Sequence, residues 1–183
     1  MSKLFVDEIV HQSSQGSGTI TIGASGEKVD LGTGVSGGTL TNRPAFYAYP
    51  SGTTQSLSAS TWTKVVLDST FYDTDNGFDT TNSKYTIPAQ KAGKYFLNCN
   101  SLVSSVENGK LHDVRFYKNG TAVTRTYARE TLGVAQSSLV QSIYVDEFSA
   151  GDYLELYIRQ TSSTSKNLNK VYVYFSGFRL IGV

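Results

Sequence analysis

The stretch Val171-Tyr-Val-Tyr-Phe-Ser-Gly-Phe-Arg-Leu-Ile181 constrains this chain more than any other. β-Branched and aromatic residues crowd it, a single Arg interrupts it and no Pro breaks it. Such a run makes a poor surface helix and a good strand. Successive strand side chains point to opposite faces, so Tyr172, Tyr174, Phe178 and Leu180 share one face and Val171, Val173, Phe175 and Ile181 the other. Apolar residues on both faces predict a central strand with one side in a core and the other against something else. In an all-β protein that something is often a partner subunit. Gly177 removes a side chain mid-strand, which predicts close approach of another backbone or a bulky ring.

The remainder offers sheet rather than helix to pack with it. With 12 Tyr and 9 Phe in 183 residues and no 3.6-period run of Ala, Leu, Glu and Lys, the pattern is all-β. From Arg43 onward, strand follows strand: Pro44 to Tyr49, Trp62 to Leu67, Tyr85 to Pro88, Gly93 to Val103, Asp113 to Lys118, Ser138 to Val145 and Tyr153 to Ile158. Phe71 to Asp79 reads as an aromatic, Asp-rich loop. Asn119-Gly120 is the strongest hairpin signal, and Gly151-Asp152 marks another turn. Many short strands without helices predict a jelly-roll sandwich. Within Gly93 to Val103, one face carries Tyr95, Leu97, Cys99 and Val103 and is apolar enough for a core. The other carries Phe96, Asn98, Asn100 and Leu102, a mixture that suits neither a dry core nor a plain solvent face.

Residues 1–42 have a different character. Eight of the 17 glycines precede residue 39. Leu4, Phe5, Ile9 and Val10 form a small apolar cluster, and Thr19-Ile-Thr-Ile22 with Lys28-Val-Asp-Leu31 reads as a short N-terminal β-hairpin. A lone hairpin is marginal in water, so it is expected to order against a larger assembly. Gly32 to Gly38 then reads as a flexible linker. The expected organisation is an attachment segment with linker at 1–42 and a jelly-roll domain at 43–183.

Composition excludes several classes of function. Sixteen Lys and Arg against 15 Asp and Glu give net charge +1, scattered along the chain. That leaves no basic stripe for nucleic acid and no polybasic membrane patch. No stretch could insert in a bilayer and the start lacks the apolar core of a signal peptide, which predicts synthesis in a cytoplasm. Cys99 stands alone, so it reads as a small buried hydrophobe. His11 and His112 lie on unrelated segments with no evident Ser and Asp partners, so no enzyme and no cofactor are expected. Asp73, Asp75 and Asp79 place three carboxylates within seven residues and are weak calcium candidates, set against a solvated turn, which Asp and Asn also favour. Asn119-Gly-Thr121 matches a glycosylation acceptor, though the hairpin already explains it. Binding specificity is expected on loops such as 105–112 and 161–169.

Taken in order, six stretches resemble the globular head of the complement recognition subcomponent, the C-one-q head, in the tumour-necrosis-factor-like superfamily. They are Pro44-Ala45-Phe46, Phe71 with Phe78-Asp79, Tyr85-Thr-Ile-Pro88 followed by Gly93-Lys-Tyr95-Phe96, Lys118-Asn-Gly120, Gly151-Asp152 and Phe175-Ser-Gly-Phe178. The resemblance implies a ten-strand jelly roll that assembles as a compact homotrimer. The sheet holding Gly93 to Val103 would then face the threefold axis, with Phe96 and Phe175 at the subunit contact beside Asn98, Asn100 and Leu102. No collagen-like repeat precedes this head. Instead, Thr19-Ile-Thr-Ile-Gly-Ala-Ser-Gly-Glu27 resembles short segments that precede such heads in bacteriophage virion proteins. This implies a virion structural protein, a tail fibre or a capsid decoration. Residues 1–42 would dock on other virion proteins, leaving the jelly roll exposed for adhesion to a host-surface glycan or protein, or for surface stabilisation. The alternative is a soluble C-one-q-like lectin or ligand-binding module tied to no particle.

Overall fold

The computed structural model describes residues 43–52 and 54–180, so the expected attachment segment, its hairpin and the linker lie outside the described residues. In chain order the strands are β1 (Ala45–Tyr49), β2 (Gln55–Leu57), β3 (Thr63–Lys64), β4 (Ser69–Asp73), β5 (Phe78–Asp79), β6 (Lys84–Thr86) and β7 (Gly93–Val106). There follow β8 (Leu111–Lys118), β9 (Thr121–Ala122), β10 (Ala128–Thr131), β11 (Gln136–Phe148), β12 (Tyr153–Gln160), β13 (Lys166–Leu168) and β14 (Tyr174–Arg179). The only helical pieces among the described residues are single 3-10 turns at Thr124–Thr126 and Lys170–Tyr172.

These segments form two antiparallel sheets of seven. Several are successive stretches along one neighbour. β14 and β13 share one edge of β7, β6 and β3 share one edge of β12, and β9 and β10 share one edge of β8. With β2 continuing the lane of β1, the first sheet runs β4, β1, β14, β7, β11, and the second runs β10, β8, β12, β6, β5. Ten lanes result, five to a sheet, in the sandwich that the sequence predicts. The final strand is central, as expected, lying between β1 and β7.

An aromatic core joins the sheets. Phe46 stacks on Tyr85 at 3.9 Å and meets Phe175 edge-on at 4.8 Å, and Phe175 reaches Phe116 at 5.2 Å. Tyr95, Leu97, Cys99 and Val103 of β7 all point into this core. Gly177 fits the prediction made for it: a Cβ there would sit 2.5 Å from Leu97 Cδ2 and 2.8 Å from the Phe96 carbonyl oxygen. Asn119 and Gly120 take φ of 51° and 76°, the left-handed pair a tight hairpin needs. That turn is latched to the Gly151-Asp152 turn. Lys118 pairs with Asp152 at 2.8 Å, and Asn119 donates from its amide to the same carboxylate. These contacts, that of Lys118 foremost, hold the Asp152 carboxyl down to about 2.

Three expected elements differ. Trp62 to Leu67 pairs as a strand only at Thr63–Lys64, because the Gln55 and Ser83 side chains satisfy the backbone of Val66 and Leu67 in place of a ladder. Phe71 to Asp79 is not all loop, since Ser69–Asp73 pairs with β1 as an edge strand. The final strand begins at Tyr174 rather than Val171, because the Asn169 side chain accepts from the Val171 N–H and winds Lys170–Tyr172 into a turn.

Candidate functional site

The outer face of the first sheet is the surface least suited to water. Strand register sets its side chains in rows. Val145, Phe96, Phe178 and Ala45 form one row; Ile143, Asn98, Ser176, Tyr47 and Tyr72 form the next; Leu139 lies beside Leu102. Phe96 and Phe178 stack at 5.4 Å, and Tyr47 stacks on Tyr174 at 5.1 Å with Phe71 beside it. At one end of this face, on the edge strand β11, Leu139, Ile143 and Val145 are 46%, 63% and 51% exposed. At the other end Phe71 is 81% exposed, next to a groove of about 460 Å³ lined by Tyr47, Tyr49 and Lys170. Between them Ser176 donates to Asn98 Oδ1, while Asn100 is only 8% exposed and its Oδ1 has no partner. A buried, unsatisfied amide oxygen carries a cost of about 1–3 kcal/mol unless another group or water meets it.

Of the five residues expected at the subunit contact, Phe96, Asn98, Asn100 and Leu102 lie together on this face. Phe175 does not. It is fully buried among Phe46, Phe78 and Phe116 in the sandwich core, since its neighbours Tyr174 and Ser176 take the outward positions. Phe178, not Phe175, is the ring that lies against Phe96. The contributions of β11 and of the Tyr47 and Phe71 end were missed in the sequence. Apolar residues alternate on both faces of Ser138 to Val145, and periodicity alone cannot choose between them.

The three candidate calcium ligands are each engaged separately. Asp73 accepts from the Gly77 and Phe78 N–H groups at 3.1 and 2.8 Å. Asp75 pairs with Arg43 and Lys91, and Asp79 accepts from the Thr81 and Asn82 N–H groups to close its own turn. Among the described residues no three of His, Cys, Asp and Glu converge as a metal cage. Asp73 and Asp79 thus close turns, and Asp75 is held by two cations.

One buried chain of polar groups was not legible in the sequence. Ser101 Oγ and Ser138 Oγ lie 3.0 Å from His112 Nε2 and Nδ1, and Ser138 donates to Glu130. Because the Ser138 proton goes to Glu130, Nδ1–H donates to Ser138, while the Ser101 hydroxyl lies between Nε2 and the Val140 carbonyl oxygen, which it reaches at 3.3 Å. Desolvation pushes the His112 pKa down to about 4, against smaller opposing effects of Ser138 and Asp113. Ser, His and a carboxylate in series invite a catalytic reading, but Ser101 and His112 are fully buried and no substrate reaches them. Cys99 is buried too, and burial pushes its thiol up to about 12, far from a nucleophile's range.

No protein-family model and no curated protein matches the chain. Solved structures do. The globular domain of zebrafish complement 1qA protein superposes with TM-score 0.55 at 18% identity, covering 75% of this chain and 98% of that one. Murine APRIL at pH 5.0 gives 0.55 at 15% identity, with coverage of 74% and 98%. Eiger TNF from S. frugiperda gives 0.53 at 10% identity, with coverage of 76% and 93%. At such identities the likeness establishes the fold, an all-β jelly-roll sandwich of the complement-head and tumour-necrosis-factor kind.

Proposed function

We propose that this chain is a non-enzymatic virion structural protein whose jelly roll assembles as a homotrimer, with residues 1–42 docking on the particle. The observation that carries the trimer is the apolar outer face of the first sheet. A closed threefold contact is heterologous, so each protomer must present two different, complementary patches. This face has them: exposed aliphatic side chains along β11 at one end, and aromatic rings of Tyr47, Phe71 and Tyr72 at the other. Pairing one end with the other end of a neighbour would cover the β11 edge, an otherwise open template for aggregation. It would also bring groups within reach of the unsatisfied Asn100. The likeness to complement-head and tumour-necrosis-factor-like folds supports this arrangement.

Membership of a virion is supported by the pattern Thr19 to Glu27 and by the hairpin expected there, which has no core of its own to bury against. Exposure of the jelly roll on the particle would serve adhesion or surface stabilisation. Mass spectrometry of purified virions, together with sedimentation of the isolated protein, tests the proposal. Absence from the particle returns the chain to a free ligand-binding module, and a monomer in solution sinks the trimer.

A further inference from the structure

The outer face of the second sheet carries a different chemistry. Pleating of β8 and β12 turns Asp113, Arg115 and Arg159 outward, while Val114, Phe116 and Ile158 fill the core. Asp113 is fully covered and is shared by two guanidinium groups. Arg129 Nε donates to its Oδ1 at 2.7 Å, and Arg159 Nη2 donates to its Oδ2 at 2.6 Å; the Tyr127 hydroxyl donates to Oδ1 as well. Arg115 has no carboxylate of its own among the described residues. Its guanidinium lies 4.1 Å from the centroid of the Trp62 ring, and its buried Nε–H is without a partner. Arg159 also packs on Trp62, at 5.0 Å, with Tyr127 edge-on to the same indole at 6.2 Å.

Three guanidinium groups therefore answer one carboxylate, on a chain whose whole net charge is only +1. Asp113 holds two of them, with Arg129 and Arg159 still partly exposed, and the third lies over an aromatic ring. Rotamer freedom is already spent in these contacts, so an incoming anion meets a rigid array. Guanidinium forks favour carboxylate and sulfate oxygens, and Tyr and Trp faces favour the C–H face of a sugar ring. A flat sheet surface gives each copy a shallow, weak contact, which repetition about a threefold axis would strengthen by avidity. We propose that this face binds an acidic saccharide, its oxyanion on Arg115 and its ring against Tyr127 and Trp62. The inference deepens the adhesive part of the function proposed above and rests on it.

Trp62 is the only tryptophan of the chain, so its fluorescence reads this face and no other. The full-length protein is titrated with trigalacturonate for a carboxylate, a heparin tetrasaccharide for a sulfate, maltotriose as the neutral sugar and pentaglutamate as the acidic peptide. A saturable change with either acidic sugar, weakened by salt and absent with maltotriose, is expected, and the stronger of the two identifies the oxyanion. Arg115→Gln should weaken it about tenfold or more with an unchanged melting temperature, and Arg115→Lys should recover part of the loss. Should the Gln variant melt early, Arg115→Lys alone is compared with the wild type, with a partial loss still expected. No saturable response, an equal response to maltotriose, an equal or stronger one to pentaglutamate, or full affinity in the Arg115 variant overturns the site. Sedimentation of the same samples separates this outcome from failure of the trimer, since single-copy sugar binding survives in a monomer.

Discussion

Gly177 shows how tightly one residue can be specified by its neighbours. A methyl group there would overlap Leu97 and the Phe96 carbonyl and press on Phe46 at 3.2 Å, so two strands and a ring all close on the same hydrogen atom. Gly177→Ala should cost about 1–3 kcal/mol by overpacking, seen as a lower denaturation midpoint; an unchanged midpoint would mean that β7 and β14 separate easily. His112 works through charge instead. Its folded pKa of about 4 lies below the ordinary 6.5, so between those values the unfolded chain binds more protons than the native one. Stability is then fully present above pH 6.5 and is lost as pH falls towards 4, by roughly 3 kcal/mol at about 1.36 kcal/mol per pH unit. The groups facing the imidazole are Ser101, Ser138, Glu130 beyond Ser138, and Asp113. Depressed carboxyls such as Asp113 and Asp152 lose their contribution only below about pH 4, so they do not share this window. Denaturant titrations at pH 7 and pH 4.5 check it, and His112→Leu should flatten the difference. An equal slope in both proteins would remove His112 as the cause.

Elements were legible where local chemistry and pairing agree. The hairpin at Asn119-Gly120, the long strand β7 and the centrality of β14 follow from turn residues and from period-2 alternation, both of which reside in the sequence. The strand at Ser69–Asp73 was hidden because its exposed Phe71 and Tyr72 and its terminal Asp73 look like loop chemistry until β1 pairs with them. Likewise the buried Ser101, Ser138 and His112 carry no periodic signal, since polar residues at inward positions become readable only when their partners on other strands are known. For the candidate site the face of Phe96, Asn98, Asn100 and Leu102 was readable, whereas Phe175 was assigned to it through a resemblance and lies on the opposite side of its strand. The acidic turn between β4 and β5 gives a test at this scale. Asp73, Asp75 and Asp79 already accept from backbone N–H groups, a hydroxyl and two cations. A bound ion would stabilise the native state by mass action, so calcium or a chelator should leave the melting temperature where it is. A calcium-dependent rise would show that these carboxylates can leave their turns and converge.

At the scale of the whole molecule the two sheets face different worlds. One turns guanidinium groups and a tryptophan outward; the other turns out Phe96, Phe178, Tyr47 and, along β11, Leu139, Ile143 and Val145. Burying one such side chain is worth about 1.5–3 kcal/mol, and a threefold contact repeats the gain three times. Introducing a carboxylate instead would bring a charge into a desolvated contact in every copy, a penalty larger than the lost packing. Phe96→Asp and Ile143→Asp, one near the middle of the face and one on its exposed edge, are both expected to abolish the trimer. Ile143 is the cleaner of the two, because its 63% exposure means the isolated protomer has little use for it. Lys118 makes a poor control, since it pairs with Asp152 and lies 4.6 Å over the Phe148 ring. Thr121→Asp, exposed on the second sheet, adds the same charge away from the face and should leave assembly intact. Sedimentation velocity compares the three variants with the wild type, and circular dichroism confirms that each keeps its sheet. A trimer that persists in Ile143→Asp while dissociating in Thr121→Asp would place the contact on the other sheet.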